Sequence, residues 1–117
     1  MDLKKRTKIF ALNIIKLVEF LPNTKTAHVI SNQILRSATS VGANYRAVCR
    51  AKSDKDFINK LKICEEECDE TIYWLELIEE SDLLKNETTN KLIKEADELT
   101  SIFVASINTK KANMKNS

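Results

Sequence analysis

The chain has 117 residues, 43% of them hydrophobic, and sets 19 Lys/Arg against 17 Asp/Glu, with one histidine, one glycine and one proline. A chain of this length fits one domain and hides roughly two-thirds of its unfolded surface, so its core needs neither disulfides nor metal. The near absence of turn residues excludes an all-β fold, which needs a turn every ~8–12 residues, and with it glycine-rich phosphate loops, dinucleotide fingerprints and nucleophile elbows.

Four segments carry helical periodicity. The first spans about Asp2 to Leu21, with Phe10, Ile14, Leu17 and Leu21 at three-four spacing. Leu3, Ile9, Leu12, Ile15 and Val18 widen its apolar face well beyond a narrow stripe. Pro22 ends it, and Asn23 and Thr24 supply a loop and a cap. Asn13, Lys16 and Glu19 interrupt the apolar run, which argues against a signal peptide and against a membrane span of ~20 nearly uncharged residues.

The second segment spans about Lys25 to Ala51, through Ala27, Ile30, Ile34, Ala38, Val41, Tyr45 and Val48. Its small residues Ser37, Ala38, Ser40, Gly42 and Ala43 admit a close neighbour. A mid-helix glycine costs ~1 kcal/mol relative to alanine, which points to a packing reason for Gly42. The third opens with a capping-box-like pair, Ser53 and Asp56, and runs to about Glu80 through Phe57, Leu61, Cys64, Cys68, Ile72, Leu75 and Ile78. Tyr73 and Trp74 lie off that line. The fourth spans about Glu87 to Ile107 through Leu92, Ala96, Leu99 and Phe103.

Four amphipathic helices joined by short loops predict an all-α, antiparallel up-down-up-down four-helix bundle over residues 1–109. A polar tail with three lysines, 110–117, is expected to be disordered. Three cysteines, an odd number, fit reduced thiols in the cytoplasm better than a disulfide framework.

Charge is distributed unevenly. Residues 1–52 hold ten Lys/Arg and two acids, residues 53–109 hold six and fifteen, and residues 110–117 add three lysines. Lys4, Lys5, Arg6 and Lys8 cluster in the first turns of helix one, and Arg36, Arg46 and Arg50 fall within about 80° on helix two at ~100° per residue. Such residues are candidates for phosphate-backbone contact, namely Lys4, Lys5, Arg6, Lys8, Arg46 and Arg50. The competing reading for the arginines of helix two is ionic pairing across the second turn, with Arg36 opposite Glu70, Arg50 opposite Asp56, and Arg46 within about a turn of Glu66. For the N-terminal lysines it is simple solvation.

Chemistry is harder to assemble. The run Glu65-Glu66-Glu67-Cys68-Asp69-Glu70 reads as a solvated or arginine-facing surface, because carboxylate metal sites in bundles draw acids from several helices and Glu-x-x-His pairs. His28 has no glutamate three residues away. Cys64 and Cys68 lie one turn apart on the apolar face and read, like Cys49, as buried small hydrophobes. His28 is about 30 Å from Cys49 along one helix at ~1.5 Å per residue, so no nucleophile-base pair forms within a chain. No catalytic, metal or cofactor site is expected.

The stretch from Gln33 to Ile78 resembles the four-helix bundle proteins encoded in intervening sequences of bacterial 23S ribosomal RNA genes. The motif residues are Gln33, Arg36 and Ser37; Ser40, Val41 and Asn44; Lys52, Ser53, Asp56 and Phe57; and Tyr73, Trp74 and Leu75. Many members carry Ala-Glu-Gly after the asparagine, where this chain reads Asn44-Tyr45-Arg46-Ala47. The resemblance implies a ring-like homopentamer and no enzyme. A distantly similar group, the accessory variability determinant proteins of diversity-generating retroelements, implies nucleic-acid contact by analogy alone. Assembly would also account for the broad apolar face of helix one, with basic and acidic halves meeting across subunits and Tyr73 and Trp74 as interface anchors or as caps on the core of one subunit. A partner protein is the alternative occupant of these surfaces.

Overall fold

The computed structural model describes residues 2–116. It contains four helices and, among the described residues, no strand: α1 (Leu3–Glu19), α2 (Lys25–Val48), α3 (Asp54–Glu80) and α4 (Glu87–Lys115). Each begins at a polar cap whose side chain accepts a backbone N–H three residues on. Asp2 accepts from Lys5 at 2.9 Å, Thr24 from Ala27 at 3.2 Å, Ser53 from Asp56 at 3.1 Å and Asn86 from Thr89 at 3.3 Å. Such caps contribute about 1 kcal/mol apiece. The expected box at α3 forms with a shift of one residue, since the Asp56 carboxylate accepts from the Lys52 N–H, at 3.1 Å.

α1 packs on α2 and α4, and α3 packs on the same two helices, so α1 and α3 stand diagonally across the bundle. The molecule measures 54 × 23 × 20 Å. No helix is long and apolar enough to cross a membrane among the described residues.

The core follows the periodicity closely. Phe10, Ile14 and Leu17 of α1 and Leu92, Ala96, Leu99, Phe103 and Ile107 of α4 are all buried. α3 is rotated slightly from the expected line. Ile58 and Thr71 are buried where Phe57 and Ile72 were expected, and those two are only half-buried. The Phe57 ring instead lies 5.1 Å beneath the Lys110 ammonium. Thr71 is accommodated because its hydroxyl donates to Ser37 Oγ at 2.8 Å, while the Ser37 hydroxyl reaches the Ile34 carbonyl at 3.3 Å.

Gly42 brings α2 against α1. An added Cβ would meet Thr7 Oγ1 at 3.4 Å and the Thr7 backbone carbon at 3.6 Å, ordinary contact distances. Two expectations are corrected. α4 does not end near Ile107 but continues to Lys115, so residues 110–115 are helical rather than a disordered tail, whereas Ser117 lies outside the described residues. Cys49 is exposed at the C-cap of α2, because the helix ends at Val48 before its next turn reaches the core.

Candidate nucleic-acid interface

The antiparallel topology converts an uneven chain into a lengthwise polarised bundle. The starts of α1 and α3 and the ends of α2 and α4 share one end. Residues 2–8, 42–63 and 101–116, which form that half, contain thirteen Lys/Arg and three acids. The other half contains six Lys/Arg and fourteen acids. Cations at the ends of α2 and α4 complement the helix dipoles. Lys4 and Lys5 do not, because they sit in the first turn of α1, which holds no acidic residue. Each such placement costs about 0.3–1 kcal/mol.

Three of the thirteen cations are held in ion pairs. Arg6 makes a fork to Glu95 of α4, with Nε at 2.8 Å and Nη2 at 2.7 Å, and reaches Glu98 at 2.6 Å. The Glu95 hydrogen bond raises the Arg6 pKa further above its ordinary value. Lys60 pairs with Asp56 at 2.8 Å and Lys110 with Asp54 at 2.9 Å. The other ten form no ion pair among the described residues.

Lys4, Lys5, Lys8 and Arg46 line one groove of about 490 Å³ between α1 and α2, floored by Ala11, Thr39, Gly42 and Ala43. The small floor residues lower the surface so that the four cations rise around it. Arg50 is exposed one turn beyond Arg46, at the end of α2. Arg6 is the member of the expected set that does not join them, because it faces α4. Lys52, Lys55, Lys62, Lys111 and Lys115 belong to the same end and were missed; only folding the charge profile into a four-helix topology reveals them.

The three expected pairings on α2 diverge. Arg36 contacts Glu70 and also Glu67, at 3.1 Å, and the Glu70 hydrogen bond raises its pKa. Glu70 also accepts from Trp74 Nε1 at 3.1 Å, and Tyr73 meets the edge of Trp74 at 5.0 Å while remaining exposed. Arg50 does not pair with Asp56, because Lys60 and the Lys52 N–H occupy that carboxylate and hold its pKa below the usual range. Arg46 does not pair with Glu66, which is exposed on the outer side of α3.

The two buried thiols, Cys64 and Cys68, are inert by position. Cys64 points at the Val41 carbonyl at 3.7 Å and Cys68 at the Ala96 carbonyl at 3.3 Å. Burial pushes their pKa values up to about 12 and about 11.

Known proteins agree with this architecture. The chain is similar to a solved protein from Bacteroides thetaiotaomicron, described as being of unknown function and from the S23 ribosomal protein family. Identity is 39%, over 91% of this chain and 98% of that one, with a TM-score of 0.84. No curated protein matches the chain. The family model for the 23S rRNA-intervening sequence protein matches residues 1–105. With that match spanning most of its length, the chain belongs to the 23S rRNA-intervening sequence protein family.

Proposed function

We propose that this protein is a non-enzymatic, cytoplasmic homo-oligomeric scaffold, a pentameric ring, whose cationic end binds RNA or DNA backbones without regard to sequence. The observation that carries the reading is the lengthwise charge separation, with ten cations at one end that form no ion pair among the described residues and four of them around one groove. Lys4, Lys5, Lys8, Arg46 and Arg50 are the contacts. Arg6, held by two glutamates, is a strut of the bundle. Phosphate contact through lysine and arginine releases counterions, so affinity falls steeply with salt.

Binding of two unrelated duplexes, measured at 50 and 200 mM salt, tests this. About four phosphates neutralised per contact surface predict a loss of roughly 100-fold over that range, equal for both sequences. No binding at 50 mM salt, or affinity indifferent to salt, would overturn it.

A second reading, a protein–protein adaptor with no nucleic-acid role, draws on the exposed Tyr73 edge beside Trp74. Aromatic residues are enriched in the centres of interfaces. In that case neither duplex binds at 50 mM salt, and replacing Lys4 and Arg46 by glutamine leaves assembly unchanged.

A further inference from the structure

The outward faces of α1 and α3 lie on opposite sides of the bundle, and over their middle turns the first carries cations beside exposed apolar residues and the second carries acids beside an exposed tyrosine. On α1, Ile9, Leu12 and Ile15 are 40%, 48% and 39% exposed, with Lys8 and Lys16 exposed beside them. A helix that packs only inward has polar residues at such positions. On α3, the exposed residues Glu66, Asp69, Tyr73, Glu76 and Glu80 recur at spacings of three and four and so form one stripe, with Tyr73 53% exposed at its centre.

The two faces also match in height. α1 and α3 run in the same direction. Thr7 abuts Gly42, and the Cys64 thiol reaches the carbonyl of Val41, so residues 7 and 64 stand at about one level. With a common rise of ~1.5 Å per residue, Leu12 comes level with Asp69 and Lys16 with Tyr73. Two copies standing side by side in one orientation therefore set Lys8 and Lys16 among Glu66, Asp69 and Glu76, with Leu12 and Ile15 against Tyr73. Two charges run against the match and bound it: Glu19, in the last turn of α1, and the exposed Lys62, one turn before Glu66 on the α3 stripe and level with Lys5.

We infer that the outer face of α1 in one copy docks on the outer stripe of α3 in the next. Because the donor and acceptor faces are different surfaces of each protomer, the contact is heterologous and propagates from copy to copy, closing into a ring when each docking turns the next copy by a fixed angle. The inference rests on the oligomeric reading above and adds which surfaces meet. It takes Lys8 from the rim of the cationic groove and leaves Lys4, Arg46 and Arg50 outside the matched faces.

Light scattering of four proteins tests it: wild type, Lys8→Glu/Lys16→Glu, Glu66→Lys/Asp69→Lys, and all four substitutions together. The expected result is an assembly for wild type, a 13.4 kDa monomer for each reversed pair, and recovery of the wild-type mass in the combined variant. Helicity by circular dichroism checks that each is folded, and a reversed pair that loses helicity is replaced by its glutamine or asparagine counterpart. Assembly that survives both reversals overturns the α1–α3 contact while the oligomeric reading stands, as does a folded combined variant that stays monomeric. A monomeric wild type overturns both.

Discussion

The seam between α2 and α3 and the seam between α1 and α4 are built on different principles. At the first, small residues and short polar groups bring the helices together. Ala38 and Ser37 are buried, Ser37 and Thr71 share a hydrogen bond at 2.8 Å, and the Cys64 thiol touches the backbone of α2. At the second, a groove of about 580 Å³ separates the helices, with Phe10, Leu17 and Leu92 beneath it and Lys16 and Lys91 on its rim. Long side chains bridge it, chiefly Arg6 to Glu95 and Glu98. Short groups specify register and exclude water; long charged ones leave space and freedom. α1 is therefore the helix most readily separated from the rest, and it is also the helix with the most exposed apolar surface.

The largest expected effect loosens α3 with alkali on both sides, at Cys64 against α2 and at Cys68 against α4. Burial keeps Cys64 and Cys68 protonated in the folded state up to about 12 and about 11, whereas an unfolded thiol ionises near its ordinary value, ~8.5. The folded pKa values are raised, so their contribution to stability is complete below pH ~8.5 and is lost as pH rises toward the folded values. Two thiols predict a loss of roughly 5 kcal/mol between pH 8 and pH 10.5. Urea midpoints at the two pH values measure it, and the loss shrinks in Cys64→Ala/Cys68→Ala. An equal pH dependence in that variant would show that the thiols play no part.

A smaller effect on the seam between α2 and α3 comes from Thr71→Val, which keeps the shape and removes the hydroxyl that donates to Ser37. The Ser37 hydroxyl retains its own acceptor, the Ile34 carbonyl. The contact of the Thr71 hydroxyl to the Glu67 carbonyl, 2.9 Å, goes with it. No buried donor is orphaned, so the cost is about 1–2 kcal/mol. Ser37→Ala in the Thr71→Val background then adds little, since the pair shares one interaction.

How much of this was legible depends on whether a feature repeats along one helix or relates two. The core of α4 recurs at three-four spacing, and all five expected residues, Leu92 to Ile107, are buried. On α3 the apolar rule selected Ile72 over Thr71, because nothing in α3 alone announces that Ser37 stands opposite as a partner. Loop arithmetic set the heights of α2 and α3 well enough to bring Arg36 to Glu70. It carries no azimuth, and so it also offered Arg50 to an Asp56 already engaged by Lys60 and the Lys52 N–H. Arg6 looked like its neighbours Lys4, Lys5 and Lys8 by composition. Its rotation on α1 turns it toward α4, away from the groove where the other three sit with Arg46. The end of α4 was missed because polar, lysine-rich sequence lowers burial without breaking a helix, and Lys110 gains a partner in Asp54 that lies 56 residues earlier.

The smallest effect sharpens the contrast from the loose side. Arg6→Gln removes the fork to Glu95 and the contact to Glu98 but keeps a polar side chain between α1 and α4. All three groups are partly exposed, so solvent and salt screen the pair, and the expected cost is below about 1 kcal/mol in low salt and near zero in 1 M salt. Global denaturation barely registers such a change; hydrogen exchange registers where it falls. Amides of α1 are expected to lose protection in Arg6→Gln while those of α3 around Thr71 keep theirs, because Arg6 ties α1 to α4 and α1 stands diagonally across the bundle from α3. Equal loss in both helices would mean that the two seams open as one unit, and that the long-range bridge of Arg6 is as much a part of the cooperative core as the hydroxyl pair at Ser37 and Thr71.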